Sequence, residues 1–210
     1  MTKIAISKTQ LDDFKYSKIY YWLQGINTKK FFLQKHEMKN QLQILIPLRN
    51  PREKGAIYAI QAAEIIHSFN EKLKIVSYGN YSGSIPKFIL HKGKVDFLHL
   101  IRLYRESDIF ILPSLAEGFS FPALEAMASG CAVISTRNGG SDQYITNDFS
   151  GLLVERGDSK AIADAVLELV NDPITLKKLI KNAQKVVWEY TYEKSAQRFV
   201  NILKEIDDVQ

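Results

Sequence analysis

The chain has 210 residues, 46% of them apolar, which suits one well-cored domain with some chain to spare. It contains no run of about 18 apolar residues and no charged-then-apolar leader, so neither a spanning helix nor a secretory signal is expected. A single cysteine, Cys131, excludes an internal disulfide and fits a reducing compartment such as the cytoplasm. A net charge of +5 suits anionic partners, whether phosphorylated substrates, nucleic acid or an acidic membrane surface, without choosing among them; no aromatic-interleaved basic stretch suggests a nucleic-acid platform.

The first forty residues differ from the rest. Residues 4–7 and 19–23 read as two short strands joined by a polar connector and followed by a lysine-rich stretch. From residue 43 onward, short apolar runs alternate with helical periods, the pattern of a parallel sheet covered on both faces. Strands are predicted at 43–48, 73–78, 88–91, 108–112, 131–135 and 151–154. Helical stripes at i, i+3, i+4, i+7 are carried by Ala59/Ala62/Ala63/Ile66, Phe97/Leu100/Ile101/Tyr104, Ile162/Ala165/Val166/Leu169, Leu176/Leu179/Ile180/Ala183 and Ala196/Phe199/Val200/Leu203. These stripes are read as core. Pro122 suits the first turn of a further helix, Asp158 or Ser159 can cap the next, and Asn171-Asp172-Pro173 breaks one helix and starts another. The fold class expected is α/β, a doubly wound Rossmann-like sheet.

In such a sheet, ligands bind outside the carboxyl ends of the strands, where the strand order reverses. The loop after the first of the six strands carries Arg49 and Lys54, and the loop after the fourth carries Glu117-Gly118-Phe119-Ser120-Phe121-Pro122. Two cations therefore stand opposite a turn that feeds a helix start, where free N–H groups and the helix dipole favour an anion. A diphosphate would satisfy them. Glu125 follows eight residues after Glu117, one turn into the helix, and carboxylates beside a phosphate site accept hydrogen bonds from sugar hydroxyls. Taken singly, Arg49 and Lys54 are equally compatible with solvated loop cations, Glu125 with an exposed helix carboxylate, and Gly139-Gly140 with a plain strand-to-helix turn. The sequence lacks Gly-x-Gly-x-x-Gly after a strand, the P-loop pattern and Asp-x-Asp, and its four histidines, His36, His67, His91 and His99, are scattered, so no metal is expected.

The run from Glu117 through Ala128, Glu-Gly-Phe-Ser-Phe-Pro-Ala-Leu-Glu-Ala-Met-Ala, resembles the signature of the family 4, or group 1, glycosyltransferases. The likeness extends upstream through the residues from Leu103 to Ser114, downstream through Gly139-Gly140, Gly151-Leu152-Leu153-Val154 and Gly157-Asp158, and back to Arg49 with Lys54-Gly55, which matches an Arg-x-x-x-x-Lys-Gly element. Ile6-Ser7-Lys8-Thr9-Gln10 and Gly25-Ile26-Asn27, ending at Phe31, resemble the last strand of the family's N-terminal domain and the linker leaving it.

The resemblance implies a GT-B fold of two Rossmann-like domains. Residues 43–206 would be the C-terminal domain that binds the nucleotide-sugar donor, and residues 1–42 a remnant of the N-terminal acceptor domain and linker, the rest of that domain being missing. By the family's pattern Arg49 and Lys54 hold the donor diphosphate, Glu125 the ribose and Glu117 the transferred sugar, with Gly118, Phe119, Ser120, Gly139 and Gly140 completing the donor site. The reaction implied is transfer with retention to an acceptor sugar or lipid-linked saccharide, in polysaccharide or glycoconjugate biosynthesis. It would need no cofactor or metal and would run in the cytoplasm, with peripheral contact at the inner face of the membrane left open. Leu48, Ser120 and Gln143 depart from the pattern, which commonly has Gly, Gly and Glu there, and the short segment from Gly79 to Gly93 lacks a helix usual at that point. A noncatalytic nucleotide-sugar-binding module is the main alternative. An epimerase or phosphorylase on the same fold sits poorly with the Glu-x7-Glu loop, and a receiver-like domain would want acids, not cations, after the first strand.

Overall fold

In the computed structural model, which describes residues 2–5, 18–33 and 41–207, the alternation of apolar runs and amphipathic segments resolves into two parallel sheets and six helices among those residues. Strands β1 (Thr2–Ala5) and β2 (Lys18–Tyr21) pair with each other in a sheet of their own, about two residues earlier than expected. The connector between them, the Ile6 to Gln10 likeness and His36 lie outside the described residues.

The second sheet holds β3 (Gln43–Pro47), β4 (Lys74–Tyr78), β5 (Ile89–His91), β6 (Ile109–Leu112), β7 (Ala132–Thr136) and β8 (Leu152–Val154), all parallel, in the order β5-β4-β3-β6-β7-β8. The six predicted strands are therefore present, and the order reverses between β3 and β6, as the doubly wound expectation requires. The central strands β3, β6 and β7 are short, mostly apolar runs buried along their whole length, as a covered parallel sheet demands, while the edge strand β5 exposes Leu90.

Helices α1 (Ala56–Phe69), α2 (Phe97–Arg105), α4 (Ser159–Asn171), α5 (Pro173–Val187) and α6 (Tyr192–Asp207) form at the five predicted stripes, and α3 (Phe121–Ser129) at Pro122. The expectation that every stripe is core fails for α6, where Ala196, Val200 and Leu203 are exposed and Ser195 and Ile202 are buried instead, because this helix meets the short segment around Trp22 rather than the sheet; Phe97 of α2 is exposed too. Two cores result. One packs α1 and α4 against one face, around Ile44, Ile46, Ala62, Ile66 and Val166; the other packs α2, α3 and α5 against the opposite face, around Leu45, Phe110, Leu124, Met127 and Ala183. Of the two candidate caps, Asp158 is the one used: its carboxylate accepts from the Ala161 N–H at 2.8 Å. Asp172 accepts from the N–H groups of both Ile174 and Thr175 at 3.0 Å, so one acid ends α4 and begins α5, with Pro173 in the position where its missing N–H costs nothing. Cys131 is buried, and burial pushes its thiol well up, as a core residue's would be.

The segment after β2 is sewn to the C-terminal end of the chain. Ile26 bridges Thr191, giving and receiving backbone hydrogen bonds with Tyr190 and Tyr192, and a methyl at Gly25 would lie 2.5 Å from the Thr191 carbonyl oxygen. Phe31 then enters the second core, edge-on to Phe97 and Tyr104. No helix among the described residues is long and apolar enough to cross a membrane.

Candidate functional site

Three loops leave the carboxyl ends of β3, β6 and β7 and meet at the point of strand reversal. The first runs through Leu48, fully buried, to Arg49, then a single 3-10 turn over 52–54 that Gly55 closes in the left-handed region at φ 69°. A Cβ on Gly55 would sit 1.9 Å from the Pro113 carbonyl oxygen, so this glycine lets the first loop lie against the second. The Leu115 N–H donates to the Glu53 carbonyl at 2.7 Å across the same seam.

Glu117, in the second loop, is the centre of one end of the site. One carboxylate oxygen meets Lys54 Nζ at 3.0 Å and the other accepts from Ser114 Oγ at 2.7 Å, while its own N–H donates to the Asn138 carbonyl at 2.9 Å. The Glu117 side chain is only 11% exposed and Lys54's 27%, so the pair is sheltered from screening by water. The third loop is shaped by Asn138, whose Oδ1 accepts the N–H groups of Gly140 and Ser141 at 2.9 and 3.0 Å. Gly139 is left-handed at φ 84°, and a Cβ on Gly140 would lie 2.7 Å from that of Glu117. Gly140 therefore serves close packing against Glu117, and Gly139 lines the opening. The strand-to-turn reading of this pair and a ligand-contact reading are compatible.

The other end of the site is built on α3. Glu125, one turn in, accepts from Tyr104 Oη at 3.3 Å, and Tyr104 Oη is itself 3.3 Å from Tyr78 Oη. Burial raises the Glu125 carboxyl from its ordinary 4.5 to about 7, against the lowering effects of the Tyr104 hydrogen bond and of the Arg49 charge. Arg49 is thus close enough to act on Glu125 electrostatically, yet its buried Nε has no hydrogen-bond partner among the described residues.

Between the two ends, Phe119 and Ser120 lead into α3. The Phe119 ring is buried among Phe121, Tyr144 and Tyr190, so only its backbone is available to a ligand. Ser120 is a non-glycine residue at φ 71°, where its side chain makes no cap, its buried hydroxyl lacks a partner, and its carbonyl accepts from Tyr144 Oη at 2.6 Å. The first N–H groups of α3 are thus left without a side-chain cap, which is the condition for holding an anion.

Of the residues singled out in the sequence, Lys54, Glu117, Gly118 and Gly139 share one cleft, while Arg49 and Glu125 lie near each other outside its lining. Lys54, Ala116, Glu117, Gly118, Asn138, Gly139 and Arg156 line an open cleft of about 420 Å³. Three contributors were not legible beforehand. Arg156 is a lone cation after β8 whose Nε donates to the Arg137 carbonyl, and no spacing marks it. Tyr78 and Tyr104 read as strand and helix core; their hydroxyls become visible only when the two elements pack.

Set beside known proteins, residues 28–186 match the family model described as glycosyl transferases group 1. An amylovoran biosynthesis glycosyltransferase of Erwinia amylovora is 28% identical over 90% of this chain and 51% of its own length. Among solved structures, the C-terminal domain of a group 1 family glycosyl transferase from Francisella tularensis overlays with a TM-score of 0.72 at 28% identity, covering 80% of this chain and 99% of that one. An Anabaena protein solved in complex with UDP-glucose shares the fold, with a TM-score of 0.81 at 15% identity over 96% of this chain and 62–63% of that one. The chain spans about half the length of the curated relatives it matches.

Proposed function

The chain belongs to the group 1 glycosyltransferases, and from that premise we propose that it is the donor-binding half of a retaining enzyme that moves a sugar from a nucleotide sugar to an acceptor. The observation that carries this reading is two pairs of unlike charge on the loops that meet at the strand reversal and the helix that one of them starts: Lys54 with Glu117, and Arg49 near Glu125. A nucleotide sugar has a diphosphate between two sugars, so it calls for cations flanked by carboxylates, the residue types gathered here. The diphosphate takes Arg49, Lys54 and the uncapped start of α3, with the backbone of Phe119 and Ser120; the ribose hydroxyls donate to Glu125; the transferred sugar meets Glu117, with Gly118, Gly139 and Gly140 around it.

In the reaction, the acceptor hydroxyl oxygen bonds to the anomeric carbon as the bond from that carbon to the diphosphate oxygen breaks; the nucleoside diphosphate departs with the electron pair, and the hydroxyl proton passes to its departing oxygen. Charge grows on the leaving oxygen. Arg49 and Lys54, fixed in a sheltered site, stabilise it more in the transition state than in the ground state, without a metal. Lys54 exchanges Glu117 for phosphate as the donor enters, which frees the carboxylate to accept from sugar hydroxyls. The acceptor, a sugar or lipid-linked saccharide in polysaccharide or glycoconjugate biosynthesis, is held by the N-terminal domain of the two-domain fold, and the reaction is placed in the cytoplasm with peripheral access to the membrane. Two relatives named for amylovoran and capsular polysaccharide biosynthesis support the choice of polysaccharide biosynthesis as the setting.

Calorimetric titration of the purified chain tests the reading. Nucleoside diphosphates should bind with higher affinity than the corresponding nucleosides, and the chain alone should not transfer sugar. A chain that binds no nucleoside diphosphate, whether of uracil, guanine or adenine, overturns the reading.

A further inference from the structure

We infer that Gln143 is a positioning residue for the donor sugar, its side-chain amide fixing the width of the cleft at the Glu117 end. The inference rests on the donor-site reading above.

Gln143 ends the short 3-10 turn over 141–143 that follows the third loop. Its Nε2 donates to the Gly118 carbonyl at 2.8 Å and to the Gly139 carbonyl at 2.8 Å. Both amide hydrogens are thereby used, and the two acceptors belong to different loops, one leaving β6 and the other leaving β7. The amide's orientation follows from its partners, because an oxygen in that place would face two carbonyl oxygens. Both glycines line the cleft beside Lys54 and Glu117.

Gly118 is open on the side where a side chain would stand, since a methyl built on it would meet nothing within 4 Å. Its neighbours are tied down, by the buried Phe119 ring and by the Glu117 N–H to the Asn138 carbonyl, and Gln143 adds the bond to its own carbonyl. Gly139 is held by its own N–H, which donates to Asp142 Oδ2 at 2.8 Å, and by Gln143. The amide is therefore a splint across the two loops that flank the transferred sugar. Glutamate, which the family pattern commonly has at this position, could not make these two bonds with the carbonyls as they stand in this chain: when ionised it has no hydrogen to give and would set a negative charge against two carbonyl oxygens. The Glu125 end of the site, where ribose is held, is built on α2, α3 and β4 and does not pass through Gln143.

The test compares Gln143→Glu and Gln143→Met with the unaltered chain, by titration with UDP and UDP-glucose and, in parallel, GDP and GDP-mannose, alongside thermal unfolding. For the pair that the unaltered chain binds, Gln143→Glu should weaken the nucleotide sugar about tenfold, or 1.4 kcal/mol, and leave the diphosphate within about threefold. Gln143→Met, which loses the donors without adding charge, should show the same split at smaller size, and it serves if the charged variant does not fold. Equal losses on both ligands, or a sugar affinity unchanged in both variants, overturn the inference while leaving the donor site standing. If the unaltered chain binds neither member of either pair, the donor-site reading falls and this inference with it.

Discussion

The two ends of the site hold similar charges in opposite states. At the Glu117 end the carboxylate and its surroundings are paired: the carboxylate has Lys54 and Ser114, the flanking glycines have Gln143, and Asn138 ties the turn behind them. At the Glu125 end the groups are sheltered but under-answered, with a carboxyl raised to about 7, one 3.3 Å hydrogen bond to it and a buried Arg49 Nε without a partner. Burial of polar groups costs free energy unless they are paired, so the second end is held in a condition that a ligand relieves. The difference teaches where binding energy is to be sought: a ligand at the Glu117 end must replace contacts already made, whereas at the Glu125 end it adds contacts that are absent.

The largest effect expected is on Arg49. Charge-assisted hydrogen bonds contribute about 1.5–3 kcal/mol, so Arg49→Ala should weaken nucleoside-diphosphate binding roughly ten- to a hundredfold, while Arg52→Ala, an exposed neighbour, should change it little. Lys54→Ala should fall in the same range, but for a mixed reason, since it also leaves the Glu117 carboxylate facing the phosphates. Adding Glu117→Gln should therefore recover part of the Lys54→Ala loss and none of the Arg49→Ala loss. Equal, small effects for Arg49, Lys54 and Arg52 would erase the contrast between the ends.

Next in size is a pH effect confined to the Glu125 end. Ribose hydroxyls donate to an ionised carboxylate, so affinity for a nucleotide sugar, whose diphosphate does not titrate in this range, should rise with pH by up to about tenfold between pH 6 and 8. Glu125→Gln should flatten that profile. The same group acts on stability with the opposite trend: the folded chain binds more protons than the unfolded chain between the ordinary 4.5 and about 7, so its contribution falls as pH rises through that window. Urea unfolding at pH 5 and pH 8 should show the unaltered chain losing relative to Glu125→Gln. Smaller again, Glu117→Gln should spare nucleoside diphosphate and cost only the increment that the sugar adds. Least of all, a chelator should change nucleoside-diphosphate affinity by well under the tenfold that 1.4 kcal/mol represents, because two cations and a helix start already offset the diphosphate charge.

The sheet order, the helices and the loops that carry the site could all be read from alternation and punctuation, because a covered parallel sheet demands unbroken apolar runs and its caps need particular residues. The strand-reversal rule also says where to look for Arg49, Lys54, Glu117 and Glu125, on loops and a helix start that the fold brings together, and their roles toward a ligand are what the titrations above decide. What could not be read were partners brought in from elsewhere in the chain. Tyr78 and Tyr104 stand 26 residues apart and met the description of core residues, which they also are. Gln143 stood out only as a departure from the family pattern, and its two hydrogen bonds depend on how the loops after β6 and β7 converge. Lys54 and Glu117 were assigned to different parts of a ligand, and nothing in their spacing of 63 residues announced that they would hold each other.

Gly55 carries two demands that usually fall on separate residues. Its φ of 69° alone would admit asparagine at modest strain, and its 1.9 Å clearance from the Pro113 carbonyl alone would be met by a small shift in an ordinary loop. Together they admit neither remedy, because the Leu115 to Glu53 hydrogen bond fixes the same seam. The consequence is entropic. The loops after β3 and β6 are joined before any donor arrives, so little ordering of backbone is left to oppose binding, and a side chain at position 55 would return that cost without touching a single charged residue.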